Sequence, residues 1–164
     1  MNDHVAPKQK RLITKALQNK LILVTGGTGS FGKTIVRELL QYKPREIRIY
    51  SRGEDKQDKM RFTLPSSDRI NFILGDVRDH TQMNKATVGV DIVFHAAAQK
   101  QVPATEYNVF EAVKTNVIGT QNVVDACLAN NVKKAIAIST DKAVEPVNAM
   151  GMTKALEEKL FISG

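Results

Sequence analysis

Two hydroxyls, a carboxylate and an amine stand in a row at Ser139-Thr140-Asp141-Lys142. Side chains of these types can hold the hydroxyls of a bound alcohol or sugar and pass a proton to or from it. An exposed loop pair that adds little to stability is the plain alternative for Asp141 and Lys142. Their place directly after an apolar run favours chemistry, because open α/β sheets bind ligands beyond the carboxyl ends of their strands. Further on, Met150 and Lys154 are four apart and share one face of a helix.

A second constellation lies near the other end of the chain. Gly26, Gly29 and Gly32 recur at intervals of three within Thr25-Gly26-Gly27-Thr28-Gly29-Ser30-Phe31-Gly32-Lys33. Gly26 permits a sharp turn, Gly29 lets the backbone approach a pyrophosphate, and Gly32 lets the next helix pack closely. The unpaired N–H groups of that helix favour phosphate, with Thr28, Ser30 and Phe31 in the same turn. A glycine turn alone often binds nothing. Here it follows an apolar strand and opens an amphipathic helix, the context of a dinucleotide site.

The second strand ends in Ser51 and Arg52, with Lys56 one helical turn on. A carboxylate there would select NAD by its ribose 2′-hydroxyl. A hydroxyl and a guanidinium suit a 2′-phosphate instead, so NADP is expected ahead of NAD. Solvated surface charge is the alternative for Arg52 and Lys56, and Glu54 and Asp55 dilute the local field. Asp76 and Val77 follow the third strand, where adenine would lie. Ala96 and Ala97 follow the fourth and leave room for ribose and nicotinamide. His95 reads as a packing and hydrogen-bonding residue, and Cys127 as plain core.

These residues need a frame, and composition allows one. The 164 residues are 42% hydrophobic and 25% charged, ordinary for a globular domain. Apolar runs fall short of the roughly 18 residues of a membrane span, and the start lacks the pattern of a secretory signal. One cysteine cannot form an internal disulfide, so the cytoplasm is the default location. Net charge is +7. Lys8, Lys10, Arg11, Lys15 and Lys20 against Asp3 put +4 of it in residues 1–20, read through 1–19 as a basic solvated tail with no nucleic-acid partner. No metal site is expected.

Five short apolar runs, 21–25, 46–50, 70–74, 91–95 and 134–139, alternate with helical segments. The first and fourth are almost wholly apolar, as in strands covered on both faces. The second alternates, placing it nearer an edge or giving it one wetter face. Helices are expected over Phe31–Leu40, over 79–88 with Asp79 as N-cap, over 109–129 and over 147–162. Alternating strands and helices imply right-handed parallel crossovers. The expected fold is α/β, a doubly wound Rossmann-type sheet in the order 3-2-1-4-5 across residues 20–164.

Against that frame, Met150 and Lys154 resemble the Tyr-x-x-x-Lys pair of the short-chain dehydrogenases, with methionine in the tyrosine position. A thioether has no proton to exchange, so either the chain is not catalytic or the acid–base work falls to other residues, with Asp141 and Lys142 the candidates. GGTGSFGK, YSRGEDKQDKMR, GDVRD, HAAAQKQVPATEYNVFEAVKTNVIGT, ISTDKAVEPVNAMGMTK and EKLF resemble the UDP-N-acetylglucosamine 4,6-dehydratases of bacterial surface-polysaccharide synthesis. The capsule-type, 5-inverting branch is nearest, since some members also carry Asn-Ala-Met-Gly. The resemblance implies transient oxidation of the sugar at C4 by bound NADP, loss of water across C5 and C6, and reduction at C6. Lys142 would remove the C5 proton and Asp141 would protonate the departing C6 hydroxyl. Ser139 and Thr140 would hold the reacting sugar hydroxyls, and Lys154 the nicotinamide ribose beside Met150. Lys100 would reach cofactor or sugar, although Gln99 replaces the family's usual leucine.

The resemblance also implies that the chain stops before the strands and small domain that grip UDP-N-acetylglucosamine, and that the longer parent is a homo-oligomer. The apolar positions Met152, Ala155, Leu156, Leu160 and Phe161 of the last helix would then be partly uncovered. Two other readings stand beside the dehydratase. A nucleotide-sugar 4-epimerase would be expected to keep the tyrosine and to need no Asp-Lys pair. A non-catalytic NADP-binding module would need neither.

Overall fold

Apolar β-branched and leucine-rich runs form β1 (Leu21–Thr25), β2 (Glu46–Ser51), β3 (Ile70–Leu74), β4 (Ile92–His95) and β5 (Lys134–Ala137). The computed structural model describes residues 6–65 and 67–164; the first part of the expected tail, Met1–Val5, lies outside the described residues. All neighbouring strands pair in parallel, in the order β3-β2-β1-β4-β5. Parallel pairing demands a crossover between strands, and the helices between them supply it. These are α2 (Ser30–Leu40), α3 (Glu54–Thr63), α4 (His80–Thr87), α5 (Val102–Tyr107), α6 (Val109–Ala112) and α7 (Gly119–Ala129), while α1 (Pro7–Leu17) precedes the first strand and α8 (Ala149–Ser163) follows the last.

Strand side chains alternate between faces, and β1 divides its residues accordingly. Ile22 and Val24 pack with Val36, Leu39, Ile47, Ile49 and Met60 on one face. Leu21 and Leu23 pack with Met83, Val93, Val123 and Cys127 on the other. Every residue of β1 is buried, which accounts for its unbroken apolar run. Full burial of a side chain such as Leu23 contributes about 1.5–3 kcal/mol. β2 lies one strand in from the edge, and its alternation records one wetter face, where Glu46 and Arg48 are only partly buried. β5 is the other edge and is largely exposed.

Local chemistry sets the helix starts. Asp79 caps α4 by accepting from Gln82 N at 2.9 Å, and Asn148 caps α8 by accepting from Gly151 N at 2.8 Å. The start of α2 at Gly29 has no side-chain cap. The segment expected as one helix over 109–129 is continuous but not uniform: α6 passes through a π-helical turn at Val113–Ile118 into α7. Such turns accommodate an extra residue and concentrate at functional sites. Part of the expected tail is helical, since α1 runs outside the core without a buried residue and touches it through Leu17. On α8, Met152 and Leu156 are exposed, whereas Phe161 packs against the core. Among the described residues, no helix is long and apolar enough to cross a membrane.

Candidate functional site

A cleft of about 460 Å³ opens across the carboxyl ends of β1, β2 and β4. The glycine turn forms its floor. Gly26 holds a φ of +64°, and a side chain there would meet Ala96 O at 2.6 Å. Its N–H donates to Tyr50 O at 2.8 Å, and Gly29 N donates to Gly26 O at 2.9 Å. At Gly32 a Cβ would stand 2.5 Å from Gly27 Cα, so only glycine lets α2 approach the turn this closely. Thr28, Ser30 and Phe31 line the same wall. With no side chain capping α2, its first N–H groups remain available to an anion.

At the β2 end the wall consists of Ser51, Arg52 and Lys56. Arg52 Nη1 lies 3.5 Å from Asp76 Oδ2, and Arg78 holds the same carboxylate at 2.7–2.8 Å while reaching Glu111 at 2.8 Å. Burial pushes the Asp76 carboxyl up, but hydrogen bonds from Arg78 and the charges of Arg52 and Arg78 prevail and hold it below the usual carboxylate range. Tyr50 stacks under Gly75 and donates to Asp76 O at 2.8 Å. Burial, then the charges of Asp79 and Asp76, push its hydroxyl up to about 12, so it stays a neutral donor. Val77 closes this end.

At the β4 end, Ala96, Ala97, Ala98 and Lys100 line the cleft. His95 lies beneath them, fully buried, between Thr25 Oγ1 (2.7 Å from Nδ1) and Thr120 Oγ1 (3.1 Å from Nε2). Thr120 gives its own proton to Asn116 O at 2.7 Å, so it accepts from His95, which assigns the imidazole hydrogen to Nε2. Nδ1 then accepts from Thr25, whose oxygen receives the N–H groups of Ala96 and Ala97. Burial, aided by the charge of Lys154, lowers the His95 pKa to about 3, so it is a neutral scaffold. The π-turn serves the same wall. Asn116 accepts from Gln99 N at 2.8 Å and donates to Gln99 O at 2.9 Å and Thr153 Oγ1 at 3.0 Å. Thr115, beside it, lines the cleft with a buried hydroxyl that has no hydrogen-bond partner among the described residues.

The Ser139–Lys142 segment leaves β5 as an exposed loop, outside the cleft wall. Thr140 Oγ1 donates to Asp141 Oδ1 at 3.0 Å, and Lys142 Nζ lies 3.4 Å from the same oxygen. The Thr140 hydrogen bond and the Lys142 contact hold the Asp141 carboxyl below its ordinary range. Ser139 Oγ is bonded to Glu158. Met150 and Lys154 are buried beneath this loop and also stand outside the wall. Lys154 Nζ donates to Ile138 O at 2.6 Å and to Glu157 Oε1 at 2.5 Å. Burial pushes the Glu157 carboxyl up to about 7, against the pull of Lys154.

The structure therefore brings together Gly26, Thr28, Gly29, Ser30, Phe31, Gly32, Ser51, Arg52, Lys56, Asp76, Val77, Ala96, Ala97 and Lys100 around one cleft. It keeps Ser139, Thr140, Asp141 and Lys142 in a separate loop. Tyr50, Gly53, Gly75 and Thr115 join the wall without having been singled out in the sequence. Gly75 directly precedes Asp76 and was within reach of the same reasoning; Thr115 sits mid-helix among polar residues and carries no such signal.

Comparison with known proteins agrees with this fold. The family described as "Polysaccharide biosynthesis protein" matches residues 22–164. The chain is 54% identical over 145 residues to a UDP-N-acetylglucosamine 4,6-dehydratase (inverting) of Campylobacter jejuni, covering 88% of this chain and 43% of that one. It is 50% identical over 149 residues to a UDP-glucose 4-epimerase of Rickettsia akari, again covering 88% of this chain and 43% of its relative. Among solved structures, Pen from Bacillus thuringiensis superposes with a TM-score of 0.88 at 40% identity, covering 90% of this chain and 47% of that one. The chain thus spans less than half the length of these relatives.

Proposed function

The chain belongs to the polysaccharide biosynthesis protein family, and from that premise we propose that it is the NADP-binding part of a UDP-N-acetylglucosamine 4,6-dehydratase. The observation that carries the reading is the cleft itself. An uncapped helix start and a glycine cradle lie at one end, and Ser51, Arg52 and Lys56 lie at the other. A side chain at Gly26 or Gly32 would strike neighbouring backbone, so only glycine keeps the cradle in the shape a pyrophosphate would need. The carboxylate at this end, Asp76, is neutralised by Arg78 and Arg52, so little negative charge opposes a 2′-phosphate.

Bound NADP would supply the transient oxidation at sugar C4 and the reduction at C6. Ser139 and Thr140 hold the reacting hydroxyls, and Lys142 takes the C5 proton, acidified by the neighbouring ketone. Asp141, ionised at the start, receives the C4 hydroxyl proton through Thr140, which already donates to its Oδ1 at 3.0 Å, and gives it to the departing C6 hydroxyl. In the open loop its carboxyl is held low; a sugar closing over the loop removes water and raises it towards an acid's range. Lys154 steadies the nicotinamide ribose, for which its Nζ exchanges one of its present partners, Ile138 O or Glu157. Met150 contributes packing alone. Lys100 extends from the cleft rim towards cofactor or sugar. The product is a 4-keto-6-deoxy nucleotide sugar for surface-polysaccharide synthesis, inverted at C5 if the proton returns to the opposite face.

The similarity to the Rickettsia protein favours a 4-epimerase as second reading. Incubating the longer parent with UDP-N-acetylglucosamine separates the two, since a dehydratase yields the 4-keto-6-deoxy sugar and an epimerase yields the C4 epimer. Lys142→Ala is expected to abolish turnover while NADP⁺ binding persists. Loss of both together would assign Lys142 a structural role and overturn the proposed chemistry.

A further inference from the structure

Gln57 lies on α3, a polar helix whose buried residues are Gln57 and Met60. Its Nε2 stands 3.0 Å from Ser51 O, 3.1 Å from Ser51 Oγ and 3.0 Å from Ile73 O. A buried carboxamide is costly unless its hydrogen bonds are made. Here they are spent on the ends of two strands at the rim of the cleft. Nε2 can only donate, and its two hydrogens are shared among these three oxygens, so the Ser51 hydroxyl oxygen is on the accepting side. The hydroxyl's own proton has no acceptor among the described residues, and Ser51 lines the cleft beside Arg52.

We infer that Gln57 is a specificity-determining positioning residue, which occupies a lone pair of Ser51 Oγ and so presents that hydroxyl to the cleft as a donor for an acceptor-only group such as a ribose 2′-phosphate. The role rests on the NADP reading above. A site that selects a 2′-hydroxyl offers it an acceptor, as a carboxylate at this strand end does. Ser51 is biased the opposite way, with one lone pair engaged and its proton free. A 2′-phosphate can accept from Ser51, Arg52 and Lys56 together. The 2′-hydroxyl of NAD can take only a fraction of those donors, and none as a charge-assisted pair. Gln57 acts through Ser51 and stands behind the wall, not in it.

The test measures dissociation constants of NADP⁺ and NAD⁺ on the 164-residue chain. Gln57→Glu is isosteric but loses the two N–H donors: ionised it accepts from the Ser51 hydroxyl, and protonated it keeps a single donor for the three oxygens. It is expected to weaken NADP⁺ by about tenfold or more, while NAD⁺ changes by less than about threefold. Ser51→Ala should by itself reduce the preference for NADP⁺, and adding Gln57→Glu to it should change the ratio by less than about threefold. If Gln57→Glu does not fold, Gln57→Met and the cleft-surface variant Ser51→Ala carry the same ratio test. Equal weakening of both dinucleotides would make Gln57 merely structural, and an unchanged ratio would also overturn the inference. A wild-type chain without preference for NADP⁺ would remove the cofactor reading together with this role. Wild-type preference with a ratio insensitive to Gln57 would remove this role alone.

Discussion

Replacing Glu157 by glutamine is expected to make the protein lose stability on acidification, because the burial of a neutral His95 is then no longer offset. His95 and Glu157 are both fully buried, and burial shifts them oppositely, to about 3 and about 7. The folded His95 pKa lies below its unfolded value near 6.5, so its contribution is present above that value and lost as pH falls. The folded Glu157 pKa lies above its unfolded value near 4.5, so its contribution is present at low pH and lost as pH rises through about 7. Between about pH 8 and about pH 5, His95 alone costs, and Glu157 alone returns, on the order of 2 kcal/mol. The two nearly cancel. Within this window the lowered carboxyls of Asp76, Glu111 and Asp141 stay ionised. Urea unfolding at both pH values should show Glu157→Gln losing about 2 kcal/mol on acidification, while His95→Asn gains about as much. Comparing each variant with itself across pH removes the cost of the substitution. A Glu157→Gln protein as stable at the lower pH as at the higher would refute a His95 held neutral beneath the cleft.

Other expectations follow from single contacts. Gly32→Ala drives a Cβ into Gly27 and should abolish dinucleotide binding, by at least about 100-fold, in a calorimetric titration; binding within a few fold of wild type would contradict the close approach of α2 to the turn. Asn116→Ala strands the Gln99 N–H and carbonyl and should cost about 2–3 kcal/mol by urea unfolding. A loss below about 0.5 kcal/mol would show that the π-turn does not depend on that clamp.

Sequence and structure agree most where one physical signal dominates. β1 and β4 were legible because burial on both faces leaves only apolar residues, and their alternation with helices implied the strand order. The cleft wall followed from short motifs fixed to strand ends. Helix α3 was not legible, because its polar sequence buries little beyond Gln57 and Met60, too thin a stripe for periodicity. Gln57 therefore carries no signal of its own in the sequence, and its bonds to Ser51 and Ile73 depend on how β2 and β3 end together. The π-turn around Asn116 was invisible for a related reason: helical periodicity continues through it, and the extra residue is set by contacts with Gln99 and Thr153. Lys154 carried a family resemblance to a ribose contact, but Glu157 one turn away offers a nearer partner in a buried setting.

The central claim is that the cleft between Gly26 and Arg52 takes a 2′-phosphorylated dinucleotide. Titration of NADP⁺ and NAD⁺ into the 164-residue chain tests it most directly, with thermal unfolding followed alongside. NADP⁺ is expected to bind at least about tenfold more tightly than NAD⁺ and to raise the melting temperature further at equal concentration. Equal or tighter binding of NAD⁺, or binding of neither to a cooperatively folded chain, would contradict it.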